Sequence, residues 1–355
     1  MKVEKLTLKN FRNIKELTFL PDQKMNVICG PNAQGKTNLL EALWLFTGAK
    51  SFRGGKDSEF KTFGQDAAKI TLDFVSLSVK NDAEIEIRER KKATLNGNTL
   101  QSPGKLAGNF CAIIFSPQDI ELVKEGPSVR RKFLDAAIFQ IYPKYAEICK
   151  NYVRAVAQRN AALKDLYYHS ELSSLIDVFD GEIVANGKKI IEYRKKYITF
   201  LKETVPSIYS GISQNTENLS ISYLCNCSSE FLEERLKNSR REDRRTGVTS
   251  VGPHRDDINV EIGGIDAKAY ASQGQTRTAA LSVKLAEVEI FKDLSGEYPV
   301  LILDDVMSEL DLPRRKKLVK RIEGLQTLLT CTHAERALYG KESKKIRIEN
   351  GNIKE

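Results

Sequence analysis

Long apolar runs are absent from this chain of 355 residues. A membrane-spanning helix needs about 20 consecutive apolar residues, and no stretch approaches that length. The first residues, Met1 to Lys5, enter an alternating pattern that lacks the apolar centre of a signal peptide. Both absences argue against a membrane or secreted protein, so we expect a cytoplasmic protein with no membrane partner.

Cysteine and histidine are scarce, and their spacing excludes the common zinc sites. The six cysteines are scattered along the chain. Only Cys225 and Cys227 lie close together, and no CxxC or Cys/His set has the spacing of zinc ligands. Cys29, Cys111 and Cys331 fall in apolar, strand-like runs, which predicts that their thiols are buried.

Acidic residues are in deficit. Lysine and arginine outnumber aspartate and glutamate by 56 to 47, which gives a net charge of +9. A basic surface favours a polyanionic partner, and the alternative is that Lys/Glu-rich helices simply present solvated faces. The candidate cations lie in Arg130–Lys132, Lys188–Lys196, Arg240–Arg241, Arg244–Arg245 and Arg314–Lys317.

Hydrophobic periodicity divides the chain into three parts. Period-two strand patterns dominate up to about residue 115, with a hairpin turn at Asn96–Asn98. A helical pattern runs from Val129 to about Tyr168 and again from about Leu172 to Leu201, where Pro206 and Gly211 are expected to end it. After the helical pattern, strands are predicted at 219–223, 258–262, 300–303 and 327–331, and a hairpin at 346–351. Helices are predicted at 276–291 and 313–322. The pattern predicts two αβ blocks that flank a helical insertion.

The stretch CGPNAQGKTN, residues 29–38, fits the P-loop pattern G-x-x-x-x-G-K-[ST]. An apolar strand precedes it and an apolar helix follows it, and this arrangement binds phosphate at the helix N-terminus. Lys36 would reach the β- and γ-phosphates, and Thr37 would ligate Mg²⁺. The alternative is an ordinary glycine-rich turn. The predicted nucleotide-binding residues are Gly30, Pro31, Asn32, Ala33, Gln34, Gly35, Lys36, Thr37 and Asn38.

Two carboxylates follow the apolar run Val300–Leu303, as in a Walker B strand. They emerge at the C-terminal end of a buried strand, which is where ligands bind in open α/β sheets. Asp304 would hold Mg²⁺ directly or through water, and Asp305 could polarise the attacking water. The alternative is an Asp-Asp helix cap after a core strand.

Four further segments accompany these two motifs: Gln118 after the strand at 111–115, Ser272-Gln273-Gly274-Gln275 at the start of a helix, Ser308 to Asp311 after Asp305, and His333 after the strand at 327–331. The combination resembles ATPases of the ABC superfamily, whose signature motif ends in Ser-Gly-Gly-Gln. The resemblance implies ATP and Mg²⁺ as cofactors. It also implies a catalytic and metal-binding Q-loop role for Gln118, a switch role for His333, and nucleotide contacts from Ser272, Gly274, Gln275 and Asp311.

Longer stretches resemble the RecF family of bacterial DNA replication and repair proteins. They are LTLKNFRNIKELTF, GPNAQGKTNLLEAL, FSPQDIELVKEGPSVRRKFLD, GPHRDD, SQGQTRTAALSVKLAE and LILDDVMSELD. The insertion between Gln118 and Ser272 is too short for the coiled coils of SMC or Rad50-type relatives. The resemblance implies an α/β fold, an ABC-type P-loop ATPase head of two αβ lobes with an inserted helical arm. The expected domains are 1–122 (N-terminal lobe), 123–245 (arm) and 246–355 (C-terminal lobe).

The resemblance also implies a function. Two protomers would sandwich ATP, with Lys36 and Asp304 of one sharing a nucleotide with Ser272 and Gly274 of the other. The closed homodimer would grip double-stranded DNA near single-strand gaps and junctions, and RecR and RecO would then help to load RecA. An aspartate at 305, one methylene shorter than the glutamate of many ABC ATPases, argues for slow hydrolysis that serves as a switch, and the resemblance implies that DNA stimulates this hydrolysis.

Two other classes share part of these motifs. The ATP-binding subunit of an ABC transporter has every ATPase motif, and co-fractionation with membranes would favour it. The basic charge and the GPHRDD and FRN matches argue against it. A P-loop GTPase or kinase would not explain Ser272 to Gln275, and no [NT]KxD guanine-reading motif occurs in the chain.

Overall fold

The computed structural model describes residues 1–165, 173–213, 217–332 and 343–354. Contacts divide the chain into two compact units: Met1–Ile120, Ser207–Thr216 and Gln273–Glu355 form the first, and Glu121–Pro206 and Glu217–Ser272 form the second. This division groups residues 246–272 with the helical segment instead of with the C-terminal lobe. The three predicted domain ranges, 1–122, 123–245 and 246–355, remain a prediction.

The described residues form strands and α-helices joined by short 3-10 turns. The strands are β1 (Lys2–Phe11), β2 (Ile14–Phe19), β3 (Met25–Cys29), β4 (Ala68–Ser76), β5 (Val79–Ile87), β6 (Lys91–Leu95), β7 (Asn98–Thr99), β8 (Ala112–Phe115), β9 (Leu219–Leu224), β10 (Asp257–Ile262), β11 (Ile265–Asp266), β12 (Val300–Leu303), β13 (Thr327–Cys331), β14 (Lys344–Glu349) and β15 (Asn352–Lys354). The helices are α1 (Lys36–Trp44), α2 (Glu121–Lys124), α3 (Pro127–Ile141), α4 (Lys144–Asp165), α5 (Ser173–Ile212), α6 (Leu232–Asn238), α7 (Arg240–Thr246), α8 (Ala267–Tyr270), α9 (Gln273–Ser295) and α10 (Leu312–Arg321).

An antiparallel sheet of six strands, in the order β2-β1-β4-β5-β6-β7, forms one layer of the first unit. Its strands alternate because one face packs on the core and the other faces water. In β1 the buried side chains are at the odd-numbered Val3 and then at the even-numbered Leu6 and Leu8. The alternation shifts because a bulge between Val3 and Lys5 adds one residue to the strand. The predicted hairpin turn after β6 is confirmed, with Asn96 and Gly97 at positive φ.

The second layer is a mainly parallel sheet in the order β15-β14-β3-β13-β12-β8. The three strands β8, β12 and β13 are buried along their whole length. This explains why β8 and β12 are apolar throughout, whereas β13 is apolar apart from Thr327 and Thr330. The parallel pairings of β3 with β13, of β13 with β12 and of β12 with β8 bring their carboxyl ends to one edge. This edge carries the P-loop after β3 and the aspartates after β12.

The second unit contains α2 to α4, most of α5, and the three-stranded antiparallel sheet β11-β10-β9. The helical pattern predicted from Val129 corresponds to two helices in the structure, α3 and α4. They are separated at Pro143, because proline cannot continue the first helix. Helix α5 has 40 residues and continues through Pro206 to Ile212. The prediction that Pro206 ends this helix is therefore wrong, whereas Gly211 lies one residue before its end.

Most other predicted elements are confirmed, several with unchanged bounds. The strands predicted at 300–303 and 327–331 and the hairpin at 346–351 all form. Helix α9 begins at Gln273, three residues before its predicted start at Thr276. Cys111 and Cys331 are buried as expected, while Cys29 is half-buried. Within the described residues, no helix is both long and apolar enough to cross a membrane.

Candidate nucleotide-binding site

A cavity of about 590 Å³ opens at the carboxyl edge of the parallel sheet. The strands β3, β12 and β13 end beneath it, and α1 begins at its wall. The described residues that line it are Asn13, Asn32, Ala33, Gln34, Gly35, Lys36, Thr37, Asn38, Arg53, Pro117, Asp304, Asp305, Thr330 and Thr332. The structure therefore brings most of the predicted P-loop residues and both predicted Walker B aspartates to one place.

Lys36 is the buried cation of the cavity. It is 8% exposed, and its Nζ donates to the carbonyl oxygens of Gly30 at 2.6 Å and Pro31 at 2.7 Å. Burial lowers the pKa of the Lys36 ammonium, and the carboxylate of Asp305 opposes this shift. Because the shift reflects lost hydration of a charge, an anionic ligand at this point would stabilise the ammonium.

Asp304 lies beside the start of α1. Its Oδ1 accepts hydrogen bonds from the hydroxyls of Thr37 at 3.1 Å and Thr330 at 2.6 Å. Burial raises the pKa of the Asp304 carboxyl, and the two threonine hydroxyls counteract this shift. A hydroxyl and a carboxylate at hydrogen-bond distance are hard oxygen donors of the kind that Mg²⁺ prefers.

Asp305 adopts a left-handed backbone conformation, with φ at 53°. Such a conformation is unfavourable for a residue with a Cβ and persists only where the surroundings impose it. The hydroxyl of Thr330 accepts a hydrogen bond from the Asp305 N–H at 2.9 Å. Thr330 thus contacts both aspartates. Sequence reasoning missed this residue, although a threonine inside the apolar run of β13 was a signal that could have found it.

The P-loop is tightly packed against its neighbours. A Cβ on Gly30 would come within 2.3 Å of the Ile348 carbonyl oxygen in β14, so only glycine fits there. Ala33 has a left-handed φ of 63°. Asn13, in the turn between β1 and β2, donates its side-chain amide to the Ala33 carbonyl at 3.3 Å and accepts from Asn38 at 2.8 Å.

Arg53 is a second cavity residue that sequence reasoning missed. Its guanidinium donates to the Asn38 side chain at 2.8 Å and lies 3.8 Å from the fully buried carboxylate of Glu41. Arg12 forms a bidentate pair with the same carboxylate, at 2.9 Å for both bonds. No local pattern in the sequence marks Arg53, because tertiary folding alone brings it to the cavity.

Two of the predicted catalytic residues lie outside the cavity's described lining. Gln118 is exposed on the 3-10 turn Pro117–Ile120, where Pro117 and not Gln118 lines the cavity. His333 falls outside the described residues. The roles assigned to both residues remain predictions.

The signature segment opens helix α9. Gln273, Gly274 and Gln275 form the first turn, and Ser272 is exposed immediately before it. In the first unit, Arg277 of this helix pairs with Glu309, and the guanidinium of Arg314 lies 3.7 Å from the position that a Cβ on Gly274 would take. Asp311 caps α10 and binds Arg314 Nη1 at 2.6 Å. None of Gly274, Gln275 and Asp311 is among the described residues that line the cavity.

Several cations of the basic runs form ion pairs with acidic residues of the same unit. Arg130 pairs with Asp257 at 2.6 Å and 2.8 Å, and Arg194 pairs with Asp135. Arg240 binds the carboxylates of Asp177 and Asp180. In the same unit the cations that face solvent include Lys132, Lys189, Lys195 and Lys196. The number of basic residues in these runs is therefore larger than the number of cations that a polyanion could contact.

Comparisons with known proteins agree with this arrangement. The family model described as RecF/RecN/SMC N terminal domain matches residues 2–354. The DNA replication and repair protein RecF of Lachnospira eligens is 36% identical over 359 residues, with 99% of each chain covered. The protein of the same name from Clostridium acetobutylicum is 38% identical over 364 residues and covers both chains fully.

Solved structures give the same picture. A structure described as the recombination mediator protein RecF-ATP in the RecFOR pathway has a TM-score of 0.91 and 38% identity, and it covers 99% of this chain and 96% of its own. The Smc head domain of Pyrococcus furiosus has a TM-score of 0.57 at 16% identity, and the match covers 99% of this chain and 95% of the Smc chain. At this identity the similarity supports the ABC-type ATPase fold alone. With a family model over nearly the whole chain and relatives well above 30% identity, the chain belongs to the RecF family of DNA replication and repair proteins.

Proposed function

We propose that this chain binds ATP in the cavity at the P-loop and uses slow hydrolysis as a switch for DNA binding. The observation that carries the proposal is the convergence of Lys36, Thr37, Asp304 and Asp305 on one cavity. The neutralising cation, the hydroxyl and the two carboxylates are the groups that P-loop ATPases need. The RecF relatives solved with ATP and ATPrS further support ATP as the nucleotide.

In this proposal each residue has a distinct task. Lys36 exchanges the carbonyl oxygens of its own loop for the β- and γ-phosphates, and the backbone N–H groups of the loop bind the remaining phosphate oxygens. Thr37 and Asp304, with Gln118, would hold Mg²⁺, which would supply positive charge at the phosphates. Asp305 accepts a proton from the attacking water. Hydrolysis is slow and DNA-stimulated, as suits a switch.

Nucleotide binding drives the assembly of a homodimer. Ser272, Gly274, Gln275 and Asp311 of one protomer face the nucleotide held by Lys36 of the other. The exposed position of Ser272 and the helix N-terminus at Gln273 support this part of the proposal, since exposed N–H groups at a helix N-terminus favour an anion.

The closed dimer grips duplex DNA near single-strand gaps and junctions. It then acts with RecR and RecO to promote RecA loading. Membership of a DNA replication and repair family supports this step, as does the excess of basic residues. Contacts go mainly to phosphates, so binding depends steeply on salt and weakly on sequence.

Gel filtration of the chain with ATP, with ADP and with no nucleotide, each in the presence and absence of duplex DNA, tests the proposal. We expect a dimer only with ATP, further stabilised by DNA. The matched variant is Ser272→Arg, which should bind ATP as a monomer yet fail to dimerise, because a bulky cation replaces the small group at the interface. A Ser272→Arg chain that dimerises with ATP would refute the sandwich arrangement.

A further inference from the structure

The turn between β14 and β15, Asn350–Gly351, contacts the P-loop directly. The Asn350 N–H donates to the side-chain Oε1 of Gln34 at 2.6 Å, and the Gly351 N–H donates to the Gln34 main-chain carbonyl at 3.0 Å. Strand β14 runs parallel to β3, with Arg347 opposite Cys29, so the hairpin is in register with the strand that leads into the loop. Both hydrogen bonds fall on one residue of the loop.

A second contact reaches the loop through Asn13. A Cβ on Gly351 would lie 2.8 Å from the Asn13 main-chain oxygen, which shows how closely the two turns pack. Asn13 in turn donates to the Ala33 carbonyl at 3.3 Å. The hairpin therefore supports two successive loop residues, Gln34 directly and Ala33 by way of Asn13.

The loop needs such support. Ala33 has a φ of 63°, a left-handed conformation that is unfavourable for alanine. Hydrogen bonds from outside the loop offset this preference at Ala33 and Gln34. Gln34 is one of the predicted nucleotide-binding residues, and its side-chain oxygen accepts a hydrogen bond from the Asn350 N–H.

We propose that the Asn350–Gly351 turn is a positioning element of the nucleotide site, which holds Ala33 and Gln34 in the phosphate-accepting shape before the nucleotide arrives. The inference rests on the proposed binding of ATP at the P-loop. A loop that is ordered in advance loses less conformational freedom on binding, so the turn raises nucleotide affinity. Its effect falls on KM more than on kcat, because neither residue contacts the reacting atoms.

The chain offers a matched pair of glycines for the test. Gly351 has a φ of 73° and Gly324 a φ of 86°, so alanine meets a similar backbone strain at both. Only at Gly351 does the added Cβ meet Asn13, whereas at Gly324 nothing lies within 4 Å. Both variants should therefore lose stability to backbone strain, with a further loss in Gly351→Ala from the contact with Asn13, and only Gly351→Ala should lose nucleotide affinity.

Isothermal titration calorimetry of the full chain with Mg²⁺ and ATPγS measures that difference. We expect about tenfold weaker binding by Gly351→Ala, the loss that follows when two hydrogen bonds to the loop are weakened. Gly324→Ala should stay within about twofold of wild type, as surface substitutions usually do. Equal affinity in the two alanine variants would overturn the inference.

Two further variants keep the test decisive if Gly351→Ala does not fold. Gln34→Met keeps the length of the side chain and removes the acceptor for the Asn350 N–H, and we expect about three- to tenfold weaker binding. Asn350→Gly keeps both the N–H and the left-handed backbone, and it should bind ATPγS like wild type. Wild-type affinity in Gln34→Met would overturn the inference. A wild-type chain that fails to bind ATPγS would instead refute the proposed function, and the inference with it.

Discussion

Replacing Thr330 by valine tests the internal support of the two aspartates. Valine has nearly the same shape as threonine and lacks the hydroxyl. Thr330 is 1% exposed, and its hydroxyl donates to Asp304 at 2.6 Å and accepts from the Asp305 N–H at 2.9 Å. The substitution removes both bonds and creates no cavity, so its effect reports on hydrogen bonding alone.

The expected loss of stability follows from the groups of Asp304 and Asp305 that the substitution leaves without a hydrogen-bond partner. A hydrogen bond to a charged group contributes about 1.5–3 kcal/mol, and a buried donor without a partner costs about 1–3 kcal/mol. The cavity lets water reach Asp304, which is 8% exposed, so part of the loss is recovered. We expect a net destabilisation of about 2 kcal/mol, or a fall in Tm of about 3 °C for a chain of 355 residues.

The same change should weaken the metal site. Without the Thr330 hydroxyl, the pKa of the Asp304 carboxyl rises further above its ordinary value, because one of the bonds that lowers it is gone. We therefore expect ATP affinity in Mg²⁺ to fall about tenfold, with no change in EDTA. Thermal unfolding and calorimetric titration provide the two readouts.

Thr330→Ser is the control, since it keeps the hydroxyl and should retain most of the affinity. Two results would refute the reasoning. One is a valine variant that binds Mg²⁺ and ATP as tightly as wild type. The other is a serine variant that loses as much affinity as valine.

Three further predictions concern hydrolysis, DNA and pH. Asp305→Asn should bind ATP and hydrolyse it at least about 10²-fold more slowly, because a general base contributes at least that much; unchanged turnover in a phosphate-release assay would exclude Asp305 as the water-polarising group. DNA affinity, measured by fluorescence anisotropy over a salt series, should fall with a log–log slope of about −0.9 per phosphate contact. Reversing the exposed charges of Lys189 and Lys195 should weaken binding more with ATP than without it, and equal effects in both conditions would contradict a clamp closed by ATP. His254 is expected to make the second unit sensitive to acid: its Nε2 lies 2.9 Å from the Thr249 carbonyl and its Nδ1 lies 2.7 Å from the Tyr152 hydroxyl, and burial lowers its pKa below 6.5. The unfolded chain binds that proton more readily than the folded one, so stability should fall as pH drops through 6.5 toward the lower folded value, by at most about 1.4 kcal/mol per pH unit. His254→Gln should show a flatter dependence in thermal unfolding scans, and a slope as steep as that of wild type would rule His254 out.

The sequence by itself determined the local elements and the chemistry of the nucleotide site. The P-loop, the strand Val300–Leu303 and the aspartates after it are contiguous patterns, and contiguous patterns report on local backbone preference. The parallel sheet could also be predicted, because strands buried on both faces are mainly apolar. The strands predicted at 300–303 and 327–331 have the bounds that the structure shows.

Only the tertiary structure decided which distant residues support that site. The nucleotide site is reached from four separate parts of the chain by Thr330, Asn13, Arg53 and the turn at Asn350–Gly351. Of these, only Thr330, a threonine in an apolar run, left a local signal in the sequence. Tertiary packing also overrode a local rule at Pro206, where α5 continues although an interior proline removes a helix hydrogen bond. Likewise, ion pairs formed in the folded state withdrew Arg130 and Arg194 from the basic surface. The physical reason is common to all of these cases: spacing along the chain encodes local preference, whereas burial and pairing depend on which distant elements meet.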